Sequence, residues 1–333
     1  MLRSMEEKIF SLVIVCIIVY MLYVLMQWLY SSVQYSVEEE KKVIKFGIVT
    51  DIHIDTSTRA DLERQNAEQY LIDFCSDMNS SGADFVVVLG DAADGWIDGS
   101  TRADEQTILE RIDKIKSILE SNCKMKIYYV LGNHEVSTAY KSNAVARYGL
   151  PNKYYAWDYG GVRFIALDPF NYEREIDVSQ DCGLPYPCQW AEFKIYDEEK
   201  IWLQQQLEDA RNKGLKVVLF THVPLSGFFE GYGTNGEYYN TIKNAGEIRD
   251  MLEQYSDVVI AVFESHYHNP DGDEISGGNH YMWKNGNVPY FGVYSLVDVD
   301  NIKSYAKVTI DLAGGKIIVD MKGAKPKYYV INI

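Results

Sequence analysis

Five of the chain's six histidines stand in short polar clusters that directly follow apolar, strand-like runs. His53 lies in Asp51-Ile52-His53 and His134 in Gly132-Asn133-His134-Glu135. His222 lies in Thr221-His222-Val223-Pro224, and His266 and His268 share Ser265-His266-Tyr267-His268. Gly90-Asp91 has the same placement without a histidine. Asp51, His53, Asp91, Asn133, His222, His266 and His268 together offer oxygen and imidazole donors, with His134 left over. Divalent Mn, Fe and Zn accept such mixed sets. Two ions sharing one carboxylate would need this many donors. Asp91, carried by a turn glycine, can offer one oxygen to each ion, and Asn133 adds a neutral carbonyl oxygen. Two metals about 3.5–4 Å apart can hold a shared water as hydroxide and clamp a phosphoryl group.

The elements that must position these residues alternate between strand and helix. Val43–Thr50 is an apolar run ending at Asp51. Thr58–Met78 has helical spacing, with Gly82 as its stop. Phe85–Leu89, with three valines, reads as a strand buried on both faces. A helix over about Ala103–Ser121 precedes a strand at Ile127–Leu131. Gly160-Gly161 joins two strands, Tyr154–Tyr159 and Val162–Leu167, as a hairpin. A helix from Asp197 to Lys213 leads into Val217–Phe220, and a further helix and strand end at Phe263. Strand runs at Tyr290–Val299, Ala306–Asp311 and Lys316–Met321 close the chain, the last two turning at Gly314-Gly315. The layout is α/β, with mixed sheets and helices outside. Ligands in such folds bind beyond the carboxyl ends of strands, and every cluster sits at such an end. Any one of these histidines alone reads more readily as a structural residue. Five segments obeying one placement reverse that reading.

Taken in order, Asp51-x-His53, Gly90-Asp91, Gly132-Asn133-His134-Glu135, His222 and His266-x-His268 resemble the calcineurin-like metallophosphoesterases, over about Lys45 to His268. The connecting run from Tyr154 to Asp168, and Trp202-Leu203, resemble that family too. The resemblance implies a four-layer α-β-β-α sandwich of two mixed sheets. It implies two divalent ions, one held by Asp51, His53, Asp91 and His268, the other by Asp91, Asn133, His222 and His266. His134 would stay unligated and donate a hydrogen bond or proton to the phosphate or leaving group. Glu135 would orient His134 or cap a following helix, the second being favoured. Two departures stand out. Ser265 replaces a glycine usual in the family. Asp94 stands where purple acid phosphatases carry a tyrosine, which argues against an iron–tyrosinate centre. The implied activity is hydrolysis of a small phosphodiester or phosphomonoester by a metal-bridging hydroxide. The rivals are a nucleotide diphosphatase and a non-catalytic scaffold. A scaffold should have lost ligands, and this chain keeps them.

Bulk properties argue for a folded protein and not a disordered one. Of 333 residues, 47% are hydrophobic. The formal charge of -16 disfavours nucleic-acid polymers, but not a small phosphorylated substrate at a dication site. Phe228, Phe229, Tyr232, Tyr238, Tyr239 and Trp96 near the clusters would contact a nucleotide-like or lipid-like group, or simply cover the core. His280 has no assigned role. Residues 9–30 carry no charge. As a helix they span about 33 Å, matching the ~30 Å hydrocarbon core. They read as an uncleaved transmembrane signal-anchor helix, since no Ala-x-Ala-like cleavage site follows. Residues 1–8 would be a cytosolic tail, 31–42 a tether and 43–333 an extracytoplasmic catalytic domain. Two disulfides, Cys75–Cys123 and Cys182–Cys188, would suit that compartment. The competing reading is four idle thiols. The sequon Asn79-Ser80-Ser81 decides nothing.

Overall fold

The structure is a computed structural model. It describes residues 17–27, 43–55, 66–97, 101–170, 172–174, 193–227, 241–266, 281–297, 303–323 and 326–333. The chain divides into a unit of Met1–Lys41 and a unit of Lys42–Ile333. In the first unit residues 17–27 are helical. Among the described residues no helix is long and apolar enough to cross a membrane. The rest of the span expected over 9–30 lies outside the described residues.

In the second unit β1 (Val43–Val49), β2 (Phe85–Leu89) and β3 (Lys126–Val130) run parallel. β10 (Tyr305–Asp311), β11 (Lys316–Lys322) and β12 (Lys327–Asn332) extend this sheet antiparallel, in the order β12-β11-β10-β1-β2-β3. The second sheet joins β4 (Tyr155–Tyr159), β5 (Val162–Ala166), β6 (Lys216–Phe220), β7 (Val259–Glu264), β8 (Tyr281–Asn285) and β9 (Val288–Gly292). Its order is β4-β5-β6-β7-β9-β8. Both sheets are mixed.

Aromatic side chains fill the space between the sheets. Phe46 of β1 stacks on Phe85 with ring centroids 4.9 Å apart and meets Phe164, Phe220 and Phe263 edge-on at 5.7–6.0 Å. Such edge-on pairs are favoured by the ring quadrupole. Outward residues Val86, Val88 and Leu131 are buried in one cluster with Leu71 and Phe74 of α1 (Ala67–Ser81) and Ile112 of α2 (Glu105–Asn122). The same cluster takes in Val217, Leu219 and Val262 with Leu203 and Leu207 of α4 (Asp197–Lys213) and Ile248 of α5 (Ala245–Gln254). The layers therefore run helix, sheet, sheet, helix. All five residues of β2 are buried, as a central strand covered on both faces requires. β11 instead alternates, because only its inner face is covered.

Local signals explain most boundaries. α1 stops at Gly82, whose φ of 65° lets its amide reach Asn79 and Met78 carbonyls. α2 starts at Asp104, whose carboxylate accepts from the Thr107 amide at 2.8 Å. Gly160 and Gly161 take positive φ at the β4–β5 hairpin. Three elements escaped the sequence reading: α3 (Lys141–Tyr148), β8 and β12. α3 is short and opens on polar residues, and β12 exposes Tyr328 and Val330 where a pattern would bury them. The run expected as one strand over Tyr290–Val299 breaks at Gly292. Beyond it Leu296 donates to the Thr50 carbonyl at 3.0 Å and Ser295 to the Asp51 carbonyl at 2.9 Å. The backbone leaves the sheet there to hold the first cluster.

Cys75 of α1 and Cys123, at the end of α2, are joined as a disulfide across 48 residues. Cys182 and Cys188 lie outside the described residues. Asn79 spends its amide nearby: it donates to the Asn122 carbonyl at 2.8 Å and accepts from the Lys124 amide at 2.9 Å. Loop closure of this length is worth about 4 kcal/mol in the chain-entropy treatment. Reduction should therefore lower the melting temperature by several degrees, and identical melts with and without reductant would refute the bond's role.

Candidate metal centre

Each cluster follows a strand end: Asp51 after β1, Asp91 after β2, Asn133 and His134 after β3, His222 after β6 and His266 after β7. Among the described residues the only non-glycine positive φ angles fall at Asp51 (49°), His53 (47°), Asp91 (47°) and His266 (75°). Left-handed backbone at such residues costs on the order of 1–3 kcal/mol each and persists only where surroundings impose it. Here they do. The Asp51, His53 and Ile54 amides donate to the carbonyls of Gly90, Asp91 and Ala92 at 3.0, 3.0 and 2.8 Å. The two loops are thus zipped together. Gly90 has φ 91°, and a Cβ there would sit 2.5 Å from the His222 ring, so only glycine fits.

Glu135 corrects the sequence reading. It neither orients the His134 ring nor caps a helix. Fully buried, its carboxylate accepts from the amides of Asp91 (3.1 Å), Ala93 (2.9 Å) and Gly132 (2.8 Å), and from the Tyr148 hydroxyl (3.2 Å). It fastens the loop after β2 to the loop after β3. Burial and the nearby Asp91 charge raise its pKa, and the amides that it accepts from oppose the rise.

Ser265, the departure from family pattern, is also absorbed. Its hydroxyl lies 2.7 Å from Thr50 Oγ1 and 3.1 Å from both the Leu89 carbonyl and His222 Nδ1. Thr50 Oγ1 in turn donates to Asp51 Oδ2 at 2.7 Å. The serine ties three strand ends together where glycine would leave a gap.

His222 is held by the Leu89 carbonyl, 2.9 Å from Nδ1. With the proton there, Nε2 carries a lone pair, yet it lies 3.1 Å from Asp91 Oδ2 and 3.3 Å from His266 Nδ1. Asp51 Oδ1 is 4.0 Å away, and 3.9 Å from His53 Nε2. Asp91 Oδ2 and Asn133 Oδ1 are buried without a hydrogen-bond donor among the described residues. Lone pairs converging this closely need positive charge among them, which is what a dication supplies. Two groups have ligand atoms all within 4.8 Å of one another: His53, Asp91 and His134, and Asp91, His222 and His266. Asp91 belongs to both, as a shared carboxylate would. The donor set fits two ions.

Without metal, protons must serve. Burial alone would lower the His222 pKa, but Asp91 and Asp51 outweigh it and raise the value to about 9. Burial would raise Asp91, but His222, His134 and His53 hold it well below the usual carboxylate range. A raised imidazole pKa stabilises the fold fully below the unfolded value of 6.5 and ceases to do so as pH climbs through 9. Metal-stripped protein should therefore lose on the order of 3 kcal/mol between pH 6.5 and 9. Mn²⁺ should restore it at the alkaline end, and His222→Gln should be flat across that window. Denaturant titrations of the chelated protein check this, and a flat wild-type profile would exclude it.

His134 stands beside the buried ligands, its ring centroid 4.5 Å from that of His53, but its side chain is 15% exposed. Its Nδ1 sits 3.1 Å from Asp94 Oδ1 and 2.9 Å from the Gly95 amide, and its Nε2 is 3.9 Å from Asp91 Oδ2. The His134 amide donates to Asp91 Oδ1 at 2.8 Å. Asp94 was noted in the sequence only for not being tyrosine. Its spacing, three residues after Asp91, was the signal available in the sequence. His268, His280, Phe228, Phe229, Tyr232, Tyr238 and Tyr239 lie outside the described residues.

A double-sheet α/β sandwich with carboxylates and imidazoles converging beyond its parallel strands is built as a metal-dependent hydrolase. Residues 44–270 match the calcineurin-like phosphoesterases, and the chain belongs to that family. It is a phosphoester hydrolase of a dinuclear-metal class. A dimetal phosphatase from Danio rerio superposes with a TM-score of 0.65 at 15% identity, over 87% of this chain and 98% of that one. A purple acid phosphatase from yellow lupin (Lupinus luteus) seeds gives 0.51 at 13% identity, over 87% of this chain and 54% of that one. At these identities the likeness establishes the fold. Nothing among the curated proteins matches the chain.

Proposed function

We propose that the chain hydrolyses a small phosphodiester or phosphomonoester, with His134 protonating the leaving group. The observation that carries this is the His134–Asp94 pair beside the shared carboxylate Asp91, with the Nε2 edge of the ring towards that carboxylate. One ion would sit with Asp51, His53, Asp91 and His268, the other with Asp91, Asn133, His222 and His266. When bound, such ions supply positive charge against the phosphoryl oxygens and acidify an attacking water. The protein does the rest. Leu89 fixes the His222 tautomer through Nδ1. Glu135 holds Asp91 in register with His134. Asp94 orients the His134 ring so that Nε2 can deliver its proton.

Full-length protein with Mn²⁺ should turn over p-nitrophenyl phosphate or its methyl diester. On phenyl phosphate, whose phenolate leaving group needs a proton, His134→Ala should reduce turnover by roughly 10²–10⁴-fold while Mn²⁺ affinity stays unchanged. Undiminished turnover would remove the proton-donor role, and loss of metal binding would make His134 a ligand. Product analysis with a dinucleotide separates ester cleavage from pyrophosphate cleavage.

We further propose that residues 9–30 anchor the enzyme with its catalytic domain outside the cytosol. The uncharged segment and the Cys75–Cys123 bond support this. Protease added to intact cells should digest the domain, and a domain that is digested only after lysis would overturn the orientation.

A further inference from the structure

Arg111 belongs to no motif, yet among the described residues it heads the fully buried side chains by size, at 0% exposure. It sits on α2, among the isoleucines that face the core. A guanidinium in that position needs acceptors, and all those it finds belong to the loops of the site. Nη1 donates to the main-chain carbonyls of Asp94 at 2.6 Å and Trp96 at 2.9 Å. Nη2 donates to the Asp55 carboxylate, two residues beyond His53, whose side chain is 8% exposed. One buried cation thus ties the end of the loop after β1 to the end of the loop after β2.

The Asp94 carbonyl and the Gly95 amide are the two ends of one peptide plane. Arg111 holds the oxygen end, and the nitrogen end lies 2.9 Å from His134 Nδ1. Asp94 is also held at its amide, which donates to the Ile54 carbonyl at 3.2 Å. Its carboxylate meets His134 Nδ1 at 3.1 Å and the Trp96 amide at 3.1 Å. Nδ1 can accept from the Gly95 amide or, when protonated, donate to the Asp94 carboxylate, one at a time, and both groups hang on a backbone segment whose carbonyl Arg111 clamps. Because a peptide unit is rigid, turning its oxygen turns its N–H.

We infer that Arg111 is a positioning residue for the proton donor: through the Asp94–Gly95 peptide it sets the direction in which His134 presents Nε2. This rests on the proton-donor reading of His134 given above. A planar fork can hold two carbonyls and a carboxylate at once, whereas a lysine ammonium cannot reproduce that fixed geometry. Arg111→Lys keeps a charge against Asp55 and loses the grip on the peptide.

A misaimed acid hurts only those substrates whose leaving group needs a proton. The test compares full-length, Mn²⁺-loaded protein on p-nitrophenyl phosphate and on phenyl phosphate, or on their methyl diesters if those are the forms turned over. Nitrophenolate leaves well unprotonated, and phenolate does not. Arg111→Lys should lose at least tenfold more turnover on the phenyl ester than on the nitrophenyl ester, with Mn²⁺ affinity within twofold of wild type by calorimetry. Should that variant fail to fold, the paired change Arg111→Gln with Asp55→Asn removes the buried charges together and should show the same signature. Equal losses on both esters, or a loss tracking weakened Mn²⁺ binding, would overturn the inference and leave Arg111 a purely structural residue. His134→Ala is the reference. If it too loses equally on both esters, the proton-donor reading falls and this inference falls with it. If it discriminates and the Arg111 variants do not, only the inference falls.

Discussion

Asp91→Asn should lower turnover on the order of 10³-fold or more, because it removes charge from the one carboxylate that both ions would share. The change is nearly isosteric, so its effect on the fold can be separated from its effect on the site. Asp91 Oδ1 accepts from the His134 amide at 2.8 Å, and an asparagine oxygen can keep that bond. Asp91 Oδ2 faces His222 Nε2 at 3.1 Å. An amide N–H placed there can donate to the imidazole lone pair, which no proton on an ionised carboxylate can do. Metal-free Asp91→Asn should therefore be at least as stable as metal-free wild type well above pH 9, where wild-type His222 has lost its proton. It should gain little from Mn²⁺. Asp91→Ala, by contrast, leaves the His134 amide without its acceptor, at about 1–3 kcal/mol. Activity assays with chemical denaturation, with and without Mn²⁺, decide the matter. An active Asp91→Asn enzyme would show that the carboxylate is not shared.

Much of this centre was legible in the sequence because its chemistry is carried by residue type and its placement by strand ends. Asp51, His53, Asp91, His222 and His266 are short-range features: each directly follows an apolar run that could only be a strand. The helix over Asp197–Lys213 was read with its true bounds because acids crowd its first turn, bases its last, and Gly214 ends it. What escaped were residues whose roles come from long-range contact. Glu135 sits in a recognisable motif, but its bonds run to Asp91 and Ala93, 44 and 42 residues away. Arg111 belongs to no motif, and nothing local says that it faces inward. Ser265 stands out in the sequence only as replacing a glycine and removing no ligand, yet it reaches Thr50 across 215 residues. The positive φ angles at Asp51, His53 and Asp91 were equally invisible, since none of these residues is glycine.

Glu135→Ala should be the most destabilising single change at the centre. It strips the acceptor from three buried amides and from the Tyr148 hydroxyl at once. Burial and Glu135 both raise the Tyr148 pKa, so its hydroxyl keeps its proton and needs an acceptor. At about 1–3 kcal/mol for each orphaned donor, the loss rivals the roughly 5–15 kcal/mol by which a domain is stable at all. Glu135→Gln should be intermediate: it keeps one acceptor oxygen but turns an NH₂ towards a backbone N–H. Since Glu135 offers no atom to either metal group, its loss should appear equally in chelated and Mn²⁺-loaded protein, measured as a fall in the urea midpoint. That pattern is the reverse of the one expected for Asp91→Asn, which spares the fold and empties the site. A Glu135→Ala protein that melts like wild type would mean that the loops after β2 and β3 are held together without it. The bonds from the His134 amide to Asp91 Oδ1 and from the Gly95 amide to His134 Nδ1 would then be what joins them.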